Sequence, residues 1–324
     1  MSNQNEQHTE SRLAHLPVSI FSTVMGMAGL AIAWQKAHVA LGAPAIVWQT
    51  IAGASSVLFA ALLVAYLLKI ARFSREVTAE WKHPVRVNFF PTISISLLLL
   101  GIVWLESAPS LSFALWLMGA LVHLVFTFAI LSSWMHHTHY DIKHANPAWF
   151  IPVVGNLFVP ICGVQFVSPE IAWFFFSIGV IFWIVLMTIV LYRIFFHDPI
   201  PPRLLPTLFI LLAPPAVGFI AYGALSPELD AFARVLYYTA LFLTLQLGGS
   251  VMRFVEGGFF LSSWAYSFPL AAMTIATFAM AKRSGLDFFL GLAVALLGIV
   301  SLVVVVLLRK TLNAAGRRAI CVPE

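Results

Sequence analysis

Ten apolar runs occupy almost the whole of this chain, near residues 17–36, 45–70, 87–105, 110–134, 148–168, 170–196, 204–224, 231–252, 258–281 and 286–309. As a helix rising about 1.5 Å per residue, each run reaches across the roughly 30 Å hydrocarbon layer of a bilayer. Only 10% of the residues are charged and 61% are hydrophobic, against roughly 25% charged in a soluble domain. The expected fold is therefore all-α and integral to the membrane. Residues 1–16 read as an N-terminal tail, 17–311 as one transmembrane domain and 312–324 as a C-terminal tail. The first sixteen residues are polar and mixed in charge, unlike a signal peptide. The lipid bilayer is the first partner implied. The net charge of +5 reads as basic loops rather than as a nucleic-acid surface.

An even number of spans puts both termini on one side. Of the 18 Lys and Arg residues, 14 fall on that side and 4 (Lys36, Arg234, Lys282 and Arg283) on the other. The excess of positive charge predicts cytoplasmic termini.

The prolines give the internal order. Every odd run carries proline in or at the start of its apolar stretch: Pro17, Pro91, Pro152 with Pro160, Pro206 with Pro214 and Pro215, and Pro269. The even runs have proline only at their edges. The landmarks Pro91, Pro152, Pro214 and Pro269 lie 61, 62 and 55 residues apart. This predicts five two-helix hairpins of about sixty residues each. Interior proline frees backbone carbonyls, which lipid cannot satisfy. The odd helices should therefore stand at the centre, bent around a hole, with straight even helices as the outer wall.

The odd runs have no Asp, Glu, Lys or Arg in their cores. That argues against an acidic cation filter and against a carboxylate-based proton pump. They carry instead weakly polar residues, among them Ser22, Thr92, Asn156, Tyr266 and Ser267. Such hydroxyl and amide donors, with the N-termini of bent half-helices, suit weak and fast passage of an anion. His123 is the ionisable residue nearest the middle of a span, on the fourth run. It reads as a neutral histidine bonded between helices, with a proton relay as the alternative. The stretch His136 to His144 is rich in metal-ligand residue types, yet reads as a basic loop rather than a metal site. Cys162 and Cys321 read as free thiols. No cofactor, catalytic constellation or nucleic-acid motif is expected.

Four stretches carry a resemblance: Leu16-Pro17 through Gly26 to Ala33-Trp34; Glu76 to Glu80 followed by His83-Pro84-Val85-Arg86; Asn146-Pro147 through Pro152 to Asn156; and Trp264-Ala265-Tyr266-Ser267-Phe268-Pro269. They resemble the slow-type anion channels of plant guard cells, and more closely the bacterial tellurite-resistance (TehA-type) members, often labelled dicarboxylate transporters. The resemblance implies five hairpins in quasi-fivefold array around a pore lined by the odd helices. It implies a homotrimer in a bacterial inner membrane, with one pore per subunit. By position in the last motif it implies that Phe268 plugs the pore. Pro269 should turn its neighbour Phe268 out of ordinary helical geometry. Gly26, Pro91, Pro152, Pro214 and Pro269 are the remaining pore-lining and kink candidates. Phe89-Phe90-Pro91 and the doubled Pro214-Pro215 depart from the bacterial pattern. The plant channels' long phosphorylated tails have no counterpart in this sequence, so kinase control of that kind is not expected.

The reading is a gated, passive channel for small inorganic anions such as chloride and nitrate, not an enzyme. The alternative is a proton-coupled carrier or efflux protein for C4-dicarboxylates, sulfite or tellurite-related oxyanions.

Overall fold

The computed structural model describes residues 12–136, 140–250, 258–317 and 319–321, and every regular element among them is helical. Among the described residues, nine helical segments are long and apolar enough to cross a membrane, and a tenth is shorter. We number them α1 (Val18–Leu41), α2 (Ala45–Arg72), α3 (Arg86–Trp104), α4 (Pro109–His136), α5 (Pro147–Gly163), α6 (Pro169–Phe196), α7 (Pro202–Leu225), α8 (Ala231–Gly248), α9 (Leu261–Ser284) and α10 (Asp287–Gly316). A short surface helix, Ser74–Lys82, joins α2 to α3. The tenth segment outruns its sequence expectation, staying helical to Gly316. The end expected for the eighth, at residues 251 and 252, lies outside the described residues.

Odd and even segments are built differently. Each even segment is one unbroken α-helix. Each odd segment begins in 3-10 geometry and continues as α-helix. The α5 segment switches twice and never holds more than six α-residues in a row. The prolines explain the switch. Pro91 immediately precedes the α-helical part of α3, while Pro214 and Pro269 fall in the first turn of theirs. There the missing N–H would have had no intrahelical partner. These prolines therefore mark where α-helix starts rather than interrupting it.

The 3-10 halves leave carbonyls poorly satisfied, and hydroxyls three residues on collect them. Thr23 donates to the Ile20 carbonyl at 2.7 Å, and Thr92, Thr207 and Ser267 donate to the carbonyls of Phe89, Leu204 and Trp264 at 2.6 Å each.

Burial divides the segments the same way. Across α1, α3, α7 and α9, 72–83% of the central residues are buried; across the five even segments the share is 22–39%. The odd segments touch one another in a closed sequence: α1 with α3, α3 with α5, α5 with α7, α7 with α9, and α9 with α1. Each even segment packs on the odd one before it. Large apolar side chains such as Val57, Val125, Ile181, Phe242 and Leu302 remain exposed on the even segments, a surface suited to lipid. Indole N–H groups tie the two sets together. Trp34 reaches Ser301 at 3.1 Å, Trp104 reaches Ser56 at 3.0 Å and Trp264 reaches Thr311 at 2.9 Å. Arg12 bonds the Ile320 carbonyl at 3.1 Å, so the first and last described stretches meet.

Candidate pore and gate

The leading halves of all five odd segments enclose a cavity of about 810 Å³. The lining advances every third or fourth residue, as one helical face should: Ser19, Ser22 and Met25 on α1, and Phe89, Thr92 and Ile95 on α3. The mouth is charged, with Lys69, Glu76, Glu80, Arg86 and Arg203 in its wall. Ala319, Ile320 and Cys321 close one side of it. The deep end is apolar. The last lining residues along the five segments are Met25, Ile95, Phe158, Val217 and Phe268 with Pro269.

The mouth is braced by a buried ion pair. Lys69 and Glu80 are 3% and 4% exposed, and the Lys69 Nζ lies 2.9 Å from Glu80 Oε2. Glu80 also accepts from the Val18 backbone N–H at 2.7 Å and the Tyr66 hydroxyl at 2.9 Å, and Lys69 donates to the Leu16 carbonyl at 2.8 Å. Both carboxylate oxygens of Glu80 and two of the three N–H groups of Lys69 are engaged, the kind of pairing that burial of two charges calls for. The network clamps the start of α1, with its non-helical Pro17, to α2 and the surface helix.

At the deep end, the rings of Phe268 and Phe158 meet with centroids 5.2 Å apart and planes inclined at 60°. Phe268 rests on α1 where Gly29 leaves room: a Cβ on Gly29 would stand 3.1 Å from its Cδ2. Phe268 is helical, in the first turn of the α-part of α9. The expected departure from helical geometry before Pro269 does not occur, because tight packing of α9 on α1 outweighs the local preference. The 3-10 to α switch lies just before Phe268, between Tyr266 and Ser267.

The other residues singled out from the sequence fall in distinct places. Pro214 and Pro269 line the cavity. Gly26 lies in the α1–α9 contact, where a Cβ would stand 2.1 Å from Ser267 Oγ. Tyr266 packs edge-on against Phe209 at 4.9 Å. Pro91 caps the α-part of α3 and Pro152 lies within α5. Asn156 faces away from the cavity into α4, donating to Thr127 Oγ1 at 3.0 Å and to the Val153 carbonyl at 2.8 Å. His123 is buried behind the cavity wall, its Nδ1 2.9 Å from Ser94 Oγ. Its Nε2 and Asn156 Oδ1 are buried with no hydrogen-bond partner among the described residues.

One expectation changes in substance. Of the hydroxyls at the cavity wall, Ser22, Thr92 and Ser262 donate to backbone carbonyls. Their protons serve the fold, so the cavity wall presents fewer free hydroxyl donors than the composition suggested. Within the His136–His144 stretch, residues 137–139 lie outside the described residues. Asp141 pairs with Lys143 at 3.4 Å on the surface. Among the described residues no cluster of three or more His, Cys, Asp or Glu could hold a metal. The Lys69–Glu80 pair, Gly29 and Phe158 escaped the sequence reading. A signal for Phe158 was present in its place between Pro152 and Pro160.

The family profile described as voltage-dependent anion channel, SLAC1, matches residues 15–312. The S-type anion channel SLAH2 of Arabidopsis thaliana is 31% identical over 84% of this chain and 54% of its own length. For SLAH3 of the same plant the figures are 30%, 93% and 48%, so this chain spans about half the length of these plant relatives. The tellurite resistance protein TehA homolog of Haemophilus influenzae is 27% identical over 83% of each chain. A multi-pass helical chain matched along nearly all of its membrane domain belongs to the SLAC1 family of voltage-dependent anion channels.

Proposed function

We propose that this protein is a gated, passive anion channel of a bacterial inner membrane, with both termini cytoplasmic. In this reading the five odd segments form a quasi-fivefold array of hairpin inner helices around one pore per subunit, and three subunits assemble through the outer helices. The cavity is the cytoplasmic vestibule and Phe268 is the plug at its deep end. The observation that carries the reading is the apolar deep end itself: the last lining residues of the five segments, Met25, Ile95, Phe158, Val217 and Phe268 with Pro269, are all uncharged. Hydrophobic constrictions of this kind gate by steric block and dewetting.

The ions carried are small and monovalent, chloride and nitrate among them. A deep pore without charge, with the Ser22 and Thr92 protons committed to backbone carbonyls, gives back little of an anion's hydration, so the cost of dehydration ranks the ions. Nitrate and iodide should permeate better than chloride, and chloride better than fluoride. Reversal potentials in mixed salts across planar bilayers measure the order, and fluoride permeating best would sink the reading. The same recordings separate a channel from a carrier of dicarboxylates or oxyanions, since only a channel gives resolved unitary current.

A further inference from the structure

The plug is half of a pair. Phe158 is the side chain at the deep end of the cavity whose ring packs at a tilt against Phe268, and it is 5% exposed. Its backbone is held more firmly than a broken helix would suggest. On one side Leu157 fills the space over Gly179, where a Cβ would come within 2.5 Å of Leu157 Cγ. On the other, Gly155 lies flat on His123, where a Cβ would come within 2.2 Å of the imidazole Cε1. Both contacts bring α5 close against an outer helix, α4 at His123 and α6 at Gly179. The carbonyls exposed by the irregular turns are tied as well. Thr127 of α4 donates to the Pro152 carbonyl at 2.7 Å, and Trp116 of α4 donates to the Val159 carbonyl at 2.9 Å. The irregular α5 segment is thus anchored to α4 and α6 at the residues around Phe158. Phe268 rests its ring on α1 at Gly29, beside the Gly26–Ser267 contact that seats α9 on α1.

We propose that Phe158 is the fixed seat of the gate, the positioning residue against which the Phe268 ring closes. This rests on the reading of Phe268 as the plug. An aromatic pair in this geometry shifts a closed–open equilibrium by about threefold to tenfold. Phe158→Ala should therefore raise resting anion conductance over the parent by at least that factor with Phe268 intact. Because both rings form one seal, the Phe158→Ala/Phe268→Ala double variant should conduct less than the product of the two single increases. Phe158→Trp placed in the Phe268→Ala background should refill the seat and lower its current severalfold.

The test is single-channel and macroscopic recording of purified variants in planar bilayers, alongside thermal stability. If Phe268→Ala conducts while a folded Phe158→Ala stays silent, the seat is disproved and the plug stands. If both are silent when folded, the plug reading itself has failed. Should Phe158→Ala not fold, the Phe158→Trp/Phe268→Ala variant decides: unchanged current overturns the seat, and reduced current supports it.

Discussion

The inner and outer segments of this protein meet the demands of a bilayer in opposite ways. The outer α2, α4, α6, α8 and α10 keep every backbone group inside an unbroken α-helix and turn apolar side chains outward. Lipid supplies no hydrogen bonds, so nothing else is stable there. The inner segments break that rule at their leading ends, and hydroxyls, indoles and neighbouring helices make up the lost bonds. Irregular backbone at membrane depth is tolerated where protein or an aqueous cavity covers it. The outer wall therefore provides the cover under which the inner segments can be irregular, and their irregularity opens the cavity.

The largest test of this contrast is at the gate. Phe268→Ala should leave assembly and melting temperature nearly unchanged and produce constitutive anion conductance, because its ring seals a cavity instead of filling a core. A core phenylalanine truncated in the same way costs about 3–5 kcal/mol and creates no current, so a destabilised, silent variant would return Phe268 to ordinary packing. Next is the mouth. Glu80→Gln leaves Lys69 buried with its charge unpaired, and thermal melts should show a loss of about 3 kcal/mol. Lys69→Met together with Glu80→Leu should recover most of it; no recovery would mean that the pair does more than neutralise itself.

Glycines give the most direct comparison of the two regions. Gly26→Ala in α1 drives a methyl to 2.1 Å from Ser267 Oγ, an overpacking that should cost about 1–3 kcal/mol. Gly298→Ala on α10 meets nothing within 4 Å, and replacing a helical glycine there should stabilise by about 0.5–1 kcal/mol. Melting temperatures moving the same way for both would contradict the assignment of inner and outer faces.

The smallest effect lies outside the spans, at the N-cap of α8. The Ala233 backbone N–H and then the Tyr222 hydroxyl hold the Asp230 carboxyl below its usual pKa. A depressed folded pKa contributes stability above the unfolded value of about 3.9, and that contribution is lost as pH falls further, through the folded value. Asp230→Asn should flatten the acid limb of the stability profile below about pH 4 and change little at neutral pH. An unchanged acid limb would remove Asp230 from this role.

The sequence by itself determined the membrane architecture: ten apolar runs with short links can be solvated only by a bilayer, and interior prolines, present only in odd runs, separate the two sets. Hydropathy and proline placement are local properties, readable one segment at a time. The motif around Phe268 was legible as a resemblance. What only the tertiary structure decided was which atoms meet. The hydroxyl protons of Ser22 and Thr92 go to their own backbone instead of the cavity, a choice set by 3-10 geometry that no residue type announces. Phe158 became the partner of Phe268 because two glycine contacts, at Gly155 and Gly179, set the backbone of α5 from the side. Lys69 and Glu80, unremarkable as charges near a helix end, became a buried clamp because the start of α1 folds over them. Contacts between segments depend on azimuth and depth to within an ångström or so, and hydrophobic pattern carries neither.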